Sequence, residues 1–204
     1  MNLNKLFETQ KVLDIRIEKE HPRVEGEERL AKKVLALQVE LGELANEQRT
    51  WKFWSNDQEP RTKITCEICR GHGGHYNTFK NAKNRVNKIT CNACEGTGVF
   101  EGENPLLEEY VDCLHFILSI GLELKLDTDD WIFEGITYHS IITQFIALNE
   151  MAAELYRNPF ETKFLELLET FIGLGEMLGF TWEQIEEAYY EKNEINHERQ
   201  NTGY

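Results

Sequence analysis

Two rows of carboxylates at helical spacing are the residues of this chain best suited to chemistry. Glu40, Glu43 and Glu47 stand three and four residues apart in a segment whose apolar pattern predicts one long helix. Glu109 and Asp112 form a second row of the same kind. Crowded carboxylates repel one another unless a cation lies among them, and hard oxygen ligands of this type suit Mg²⁺ or Mn²⁺. The two rows are therefore candidate halves of a divalent metal site.

An apolar stripe accompanies each carboxylate row and indicates how the rows would be positioned. The first pattern begins near Glu25 and contains Leu30, Val34, Leu37, Leu41 and Leu44. The second stripe consists of Leu106, Tyr110, Leu114 and Ile117. Packing the two stripes against each other would bring both rows to one side of a helix pair. The sequence therefore predicts a four-carboxylate cluster, whose members are Glu40, Glu43, Glu109 and Asp112.

The acidic rows have a simpler interpretation, which is a solvated helix face stabilised by charge pairs. The row that ends at Glu47 has only Arg49 and Lys52 downstream to balance it. This shortage of cations favours a metal site and leaves the solvated face open. Two divalent ions about 3.5–4 Å apart could activate a water and neutralise the charge of a phosphoryl transfer. The rows therefore suggest hydrolysis at phosphorus, and the sequence does not fix which phosphorus is attacked.

Two copies of Cys-x-x-Cys-x-Gly-x-Gly form a second candidate metal site. The four cysteines are Cys66, Cys69, Cys91 and Cys94, with twenty-one residues between the two pairs. Each pair makes a tight turn whose sulfurs can meet one metal, and the glycines allow the positive φ angles of such a knuckle. The pattern resembles the zinc knuckles of DnaJ-type chaperones, and a redox role would need only one pair. We therefore predict a structural Zn²⁺ and a reducing compartment, with His72 and His75 as spectators.

The cysteines lie in a basic segment of an acidic chain. The whole chain carries a net charge of −14, which argues against nucleic-acid binding by the molecule as a whole. Between Arg61 and Phe100, seven Lys or Arg stand against two acids, so this segment carries +5 and the remainder −19. We predict an inserted zinc-binding module at residues 61–101, called the cysteine module below, which is too small to fold without its metal. Contact with nucleic acid or a protein partner is one candidate role, and a solvated surface around a structural metal is the simpler one.

Helical patterns account for most of the remaining chain. The predicted helices cover residues 3–20, the first carboxylate segment up to the aromatic group at 51–54, and residues 105–126, 138–157, 160–178 and 182–199. Asn104 is a candidate N-cap, Gly179 a stop signal, and Thr181 with Gln184 a capping box. No strand-like alternation of useful length occurs outside the cysteine module. These patterns predict an all-α bundle of five or six helices, formed by residues 1–60 and 102–204.

Length and hydropathy bound the class of protein. The 204 residues are 41% apolar, which is enough to bury a core. No window of about eighteen apolar residues occurs, and no signal-peptide core follows Met1. A soluble, cytoplasmic protein without membrane contact is therefore expected.

Several stretches resemble the dimeric dUTPases of the all-α, MazG-like nucleoside triphosphate pyrophosphatases. The resemblance is carried by Leu37-Gln-Val-Glu40-Leu-Gly-Glu43-Leu-Ala-Asn-Glu47, Lys52-Phe-Trp54, Glu108-Glu109-Tyr-Val-Asp112-Cys-Leu-His115-Phe, Lys192-Asn193, Asn196, Arg199-Gln200 and Gly203-Tyr204. It covers nearly the whole chain except residues 61–101. It implies a MazG-like helical bundle with a small zinc-ribbon insertion.

The same resemblance implies a homodimer. The helix predicted after Tyr138 supports this expectation, because it carries more apolar surface than a two-helix active site can cover. The apolar residues concerned are Ile141, Ile142, Phe145, Ile146 and Leu148.

The resemblance also implies an activity and a set of residues for it. The activity is Mg²⁺-dependent hydrolysis of dUTP to dUMP and pyrophosphate, with the metals held by Glu40, Glu43, Glu109 and Asp112. Glu47 would either reach a metal or orient the attacking water as a general base. Lys52, Lys192 and Arg199 are candidates to neutralise phosphate charge, and the resemblance favours Lys192 and Arg199 in particular. It also implies Trp54 near the uracil, His115 near the deoxyribose, and Gln10 and Asn196 as nearby amide partners.

Two other functions stay open at this point. The first is a related pyrophosphatase that acts on dCTP or on several dNTPs. The second is a zinc-dependent nucleic-acid- or protein-binding module whose helical body is a scaffold. A test of nucleotide hydrolysis with and without Mg²⁺ separates these functions from dUTP hydrolysis.

Overall fold

The computed structural model describes residues 3–77, 87–100, 102–126 and 133–203. Within these ranges the helices are α1 Leu3–Glu20, α2 Arg29–Gln48, α3 Pro105–Glu123, α4 Ile141–Arg157, α5 Glu161–Leu178 and α6 Trp182–Thr202. The strands in the same ranges are short: β1 Ile64–Thr65, β2 Gly74–Asn77, β3 Asn87–Thr90 and β4 Val99–Phe100. The predicted all-α fold is therefore confirmed. None of the described helices has the length and apolar content needed to cross a membrane.

The two predicted apolar stripes pack against each other as α2 and α3. Leu37 and Leu44 of α2 and Ile117 of α3 are completely buried. At one end of the pair, Leu106 N donates to Arg61 O, while Arg61 N donates to Glu47 O. At the other end, Lys33 Nζ donates to Ser119 O at 3.1 Å. The C-terminal end of α2 therefore lies beside the N-terminal end of α3, and the two helices run antiparallel.

The other helices cover the remaining faces of this pair. α1 packs on α3 and α6, while α4 packs on α2 and α5. Gly121 of α3 lets α1 and α5 approach closely, because a Cβ there would lie 2.8 Å from Phe7 and 2.7 Å from Phe164. The ring of Tyr110 stacks on Phe171 at 4.3 Å, and its hydroxyl donates to the Phe171 carbonyl at 3.2 Å. The result is one apolar core to which all six helices contribute.

The helix ends follow local chemistry. Asn104 caps α3 by accepting from Leu107 N at 3.2 Å, and the predicted capping box of α6 is present. The helix α2 begins at Arg29 rather than near Glu25, since Gly26 takes a φ of +80° and separates it from α1. The same helix ends at Gln48, ahead of the aromatic group, because the backbone of Arg49 turns left-handed there.

The described part of the cysteine module contains two small antiparallel strand pairs. Strand β1 pairs with β4, so that Ile64 stands opposite Phe100, and β2 pairs with β3. Strands β1 and β4 are the first and last strands of the module, so its two ends lie side by side. Three of its basic residues, Lys80, Lys83 and Arg85, lie outside the described residues.

Candidate active site

Three carboxylates from facing helices form the centre of the candidate site. Glu40 and Glu43 of α2 and Glu109 of α3 each offer one oxygen, and these oxygens all lie within 4.8 Å of one another. Glu40 and Glu109 are half-buried, whereas Glu43 is exposed. The packed stripes place both rows on one side of the helix pair. The structure thus brings together three of the four carboxylates that the sequence assigned to a metal.

The electrostatics of this group fit a site for a cation. Burial, followed by the neighbouring charges of Asp112 and Glu43, raises the pKa of both Glu40 and Glu109 to about 7. One oxygen of Glu109, Oε2, is buried and accepts no hydrogen bond from any residue in the described part of the chain. A buried acceptor without a donor is costly, and a divalent ion would satisfy it. The donor set is hard oxygen, as Mg²⁺ or Mn²⁺ prefers.

The fourth carboxylate, Asp112, lies beside the group and is engaged by a lysine. Lys192 Nζ of α6 lies 2.7 Å from Asp112 Oδ2 and 2.8 Å from Glu108 Oε1. Burial raises the pKa of Asp112, and the ion pair with Lys192 opposes that shift. Lys192 is itself only 7% exposed. Lys192 therefore holds two carboxylates of α3, of which Asp112 also borders the cavity described below.

Glu47, the last member of the first row, is held by an arginine from the entrance of the cysteine module. Arg61 Nη1 lies 3.4 Å from Glu47 Oε1, and the backbone of Arg61 bonds to both α2 and α3. The carboxylate of Asp57 lies between two arginines. Its Oδ2 is 4.0 Å from Arg61 Nη2 and 2.8 Å from Arg49 Nη2. Sequence reasoning did not single out Arg61, because nothing local links it to a glutamate fourteen residues earlier.

A cavity of about 270 Å³ lies next to Glu40 and Asp112. Helices α1, α2, α3 and α6 enclose it. Among its lining residues are four that the sequence assigned to the substrate, namely Gln10, His115, Asn196 and Arg199. Arg199 Nη1 donates to Asn196 Oδ1 at 3.3 Å, which joins the two residues from α6. The structure therefore brings these residues to one cavity beside the carboxylates.

His115 sits in the wall of this cavity and is held from two sides. Its Nδ1 lies 2.7 Å from Gln10 Oε1, and its ring stacks on Tyr189 at 4.1 Å. Burial, followed by the charge of Lys192, lowers the pKa of His115 to about 3. The imidazole is therefore neutral at physiological pH.

Two predicted substrate residues lie apart from this cavity. Trp54 and Lys52 belong to the loop that follows α2 and do not line it. Trp54 is 64% exposed and meets Trp51 edge-on at 5.2 Å, and Lys52 Nζ lies 5.4 Å from the Trp51 ring. Their assignment to uracil and phosphate stays a prediction.

The four cysteines of the module form a separate, softer site. Their sulfurs are buried and lie within 4.8 Å of one another, with Cys69 and Cys94 at 3.6 Å. Although burial opposes it, the backbone N–H groups of Gly98 and Gly96 lower the pKa of Cys94 to about 6, which favours a thiolate. Gly98 has a φ of +85° and lies so close to Gly71 that no Cβ fits there. The arrangement is compatible with a zinc ion.

Two residues that hold Gln10 were not found from the sequence: Asp14, which lines the cavity, and Tyr189, which does not. Asp14 accepts from Gln10 Nε2 at 2.7 Å, and Tyr189 donates to Gln10 Oε1 at 2.7 Å. Asp14 stands four residues after Gln10, so helical spacing could have placed both on one face. Tyr189 gave no local signal, because it reaches Gln10 across 179 residues of chain.

The six helices of the described residues, with a carboxylate group beside a cavity, define an all-α protein with a candidate metal-dependent site. A family model described as dUTPase matches residues 2–89 and 100–204. The chain therefore belongs to the all-α dUTPase family, as its resemblance implied. Membership supports a nucleotide pyrophosphatase, that is, a hydrolase of nucleoside triphosphates. The unmatched residues 90–99 contain the second Cys-x-x-Cys pair. Neither the search of curated proteins nor that of solved structures found a match.

Proposed function

We propose that this protein hydrolyses dUTP to dUMP and pyrophosphate in a Mg²⁺-dependent reaction. The observation that carries the proposal is the group of three carboxylate oxygens within 4.8 Å, placed beside a cavity lined by His115 and Asn196. Family membership supplies the reaction class. Residues 1–60 and 102–204 would form the catalytic domain and residues 61–101 an inserted zinc-binding domain.

The metal ligands follow from the donor set. Glu40, Glu43, Glu109 and Asp112 would hold Mg²⁺, which would offset phosphate charge and make the attacking water more acidic. The raised pKa values of Glu40 and Glu109, and the orphaned Oε2 of Glu109, support a cation at this position.

The chain itself would supply a base, cations and a nucleoside pocket. Glu47 would accept a proton from the attacking water, with Arg61 keeping its carboxylate in place. Lys192 and Arg199 would offset the charge of the phosphates, since both border the carboxylates or the cavity. The nucleoside would enter the cavity of about 270 Å³ at His115.

The remaining assignments concern the loop after α2 and the assembly. Trp54 would stack on uracil and Lys52 would meet a phosphate; both are on an exposed loop, as groups that receive an incoming ligand must be. Cys66, Cys69, Cys91 and Cys94 would hold a structural Zn²⁺. A homodimer is supported by the apolar residues that α4 leaves exposed, Ile142 at 43% and Ile146 at 53%.

A nucleotide-release assay across the dNTPs tests the proposal. The expected result is conversion of dUTP to dUMP and pyrophosphate with Mg²⁺, no conversion with EDTA, and much slower conversion of dTTP and dCTP. If dCTP is converted as fast as dUTP or faster, dCTP replaces dUTP as the proposed substrate. If no dNTP is hydrolysed, the proposed enzymatic activity is refuted and the zinc-dependent binding role remains.

A further inference from the structure

A set of hydrogen bonds in the wall of the cavity links three helices through one amide. Gln10 of α1 accepts at Oε1 from Tyr189 of α6 at 2.7 Å, and the same oxygen lies 2.7 Å from His115 Nδ1 of α3. Gln10 Nε2 donates to Asp14 at 2.7 Å. Gln10 is 3% exposed, so its amide serves these partners inside the protein.

Asp14 determines which way this amide faces. Its Oδ2 accepts from Ser119 Oγ at 2.6 Å and from Lys33 Nζ at 3.1 Å, and its Oδ1 accepts from Gln10 Nε2. A carboxylate held by a lysine can only accept. A flipped amide would set the Gln10 oxygen against the Asp14 oxygen, two acceptors facing each other. The oxygen of Gln10 therefore faces Tyr189 and His115.

This orientation fixes the tautomer of His115. Because Gln10 Oε1 can only accept, His115 Nδ1 must carry the proton. The ring is 5% exposed, and its burial outweighs the backbone carbonyl of Tyr189, which favours a second proton. A neutral imidazole with a proton on Nδ1 has a lone pair on Nε2. His115 Nε2 is buried and has no partner among the residues that the structure describes.

We infer that Gln10, Tyr189 and Asp14 hold His115 as the Nδ1–H tautomer, so that its Nε2 accepts a hydrogen bond from a donor on the nucleoside. The identity of the ligand rests on the proposed function. A deoxyuridine nucleotide has two such donors, the 3′-hydroxyl and the N3–H of the base. Tyr189 and Asp14 are thus positioning residues, and Gln10 acts on the nucleotide through His115.

The tautomer can be read without any turnover. The ¹⁵N shifts of the imidazoles in protein labelled at histidine distinguish the two neutral tautomers from the charged form, and His115→Phe assigns the signal of His115. We expect the Nδ1–H tautomer in the unaltered protein. Asp14→Asn removes the fixed acceptor, lets the Gln10 amide turn, and should introduce the Nε2–H tautomer. Glu18→Gln, one turn further along α1, is the matched control and should leave the spectrum unchanged. A charged His115 or the Nε2–H tautomer in the unaltered protein would overturn the inference.

The nucleoside donor is identified by ligand analogues. Binding of dUMP, 2′,3′-dideoxyuridine monophosphate and N3-methyl-dUMP is measured by calorimetry with Mg²⁺. The analogue that lacks the relevant donor should bind about 10- to 100-fold more weakly than dUMP. That penalty should disappear in His115→Phe, which keeps an aromatic ring against Tyr189. This half of the inference would be overturned by any of three results. They are equal affinities for all three nucleotides, an equal loss of affinity for the analogue in His115→Phe, and no binding of dUMP. Absence of dUTP hydrolysis alone would refute only the proposed function.

Discussion

Glu40, Glu43 and Glu109 stay close together because helix packing holds them there, not because they bond to one another. The raised pKa values of Glu40 and Glu109 report that their negative forms are disfavoured at this spacing. Lys192 pairs with Asp112 and Glu108, and its charge, with that of Arg199, offsets only part of the shift at Glu40. A bound cation would therefore stabilise the protein as well as serve the reaction.

Substitutions in the two rows should separate metal binding from simple charge effects. Glu43→Gln and Asp112→Asn should each abolish dUTP turnover and remove the rise in melting temperature that Mg²⁺ gives to the unaltered protein. Without Mg²⁺ the two variants should differ in their free energy of unfolding. Glu43→Gln removes one repelling charge and should not destabilise, whereas Asp112→Asn weakens the ion pair of the buried Lys192 and should cost about 1–3 kcal/mol.

The matched control for these variants is Glu150→Gln, at an exposed acid of α4. It should change the unfolding free energy by no more than about 0.5 kcal/mol and leave the Mg²⁺ response intact. An unchanged Mg²⁺ response in both row variants would show that the carboxylates are a solvated face.

The burial of His115 predicts a pH dependence of stability. Its pKa is lowered to about 3 in the folded protein, against about 6.5 in an unfolded chain. Between these values the unfolded chain binds a proton that the folded protein does not, so stability is lost as the pH falls below about 6.5. His115→Phe should reduce the loss of unfolding free energy between pH 7 and pH 5 by up to about 2 kcal/mol, measured by urea titration. The same loss in His115→Phe as in the unaltered protein would contradict a buried neutral histidine; His139→Gln, at an exposed position, is the control.

Single residues show where sequence reasoning stops. The spacing of Glu40, Glu43 and Glu109 predicted their meeting, because helical period and apolar stripes are local signals. The bond between Lys192 and Asp112 spans 80 residues and depends on how α6 is placed against α3. No local pattern encodes that placement.

At the scale of elements, α2 and α3 position the carboxylates, and the entrance of the cysteine module ties their ends together. Arg61 bonds through its backbone to both helices and through its side chain to Glu47. Helix existence and type were predictable from periodicity, and the ends from caps such as Asn104. The residue at which α2 ends could not be predicted from the sequence. The chain turns left-handed at Arg49, whose side chain contacts Asp57 in the loop that follows.

The two candidate metal sites should respond independently to chelation, because their ligands differ in softness. Mild EDTA treatment should abolish activity while about one zinc per chain remains, and added Mg²⁺ alone should restore the activity. Metal content by atomic emission and turnover are the measurements. Cys94→Ser should lose zinc without losing the Mg²⁺-dependent rise in melting temperature. Recovery of activity only with zinc would refute the separation.

At the scale of the whole molecule, apolar residues remain on the outer faces of α2 and α4. Leu35 is 63% and Val39 50% exposed on α2, and Ile142 and Ile146 are exposed on α4. Phe145 and Leu148, which the sequence grouped with them, are buried in the core instead. Exposed apolar residues in number mark surfaces for association.

A homodimer should form through these faces. Light scattering should report twice the chain mass of 23.9 kDa. Ile146→Glu places a charge in the apolar face and should shift the protein toward monomer. Ile68→Glu, at a residue of the cysteine module that is also exposed, should not. A single species of chain mass at high concentration would rule out the dimer.

The pairing of β1 with β4 means that the cysteine module can be excised and replaced by a hairpin. Cys66 follows the Thr65–Val99 pair and donates to the Gly98 carbonyl at 2.9 Å, so Cys66 and Gly98 form the hydrogen-bonded pair that a two-residue Asn-Gly turn closes. A shortened chain with Asn-Gly in place of residues 67–97 would keep Arg61 and its bonds to α2 and α3. We expect this minimal protein to fold without zinc, to keep the helical circular dichroism of the bundle and to melt at a higher temperature with Mg²⁺ than without. The same junction would then accept a foreign β-hairpin as a graft.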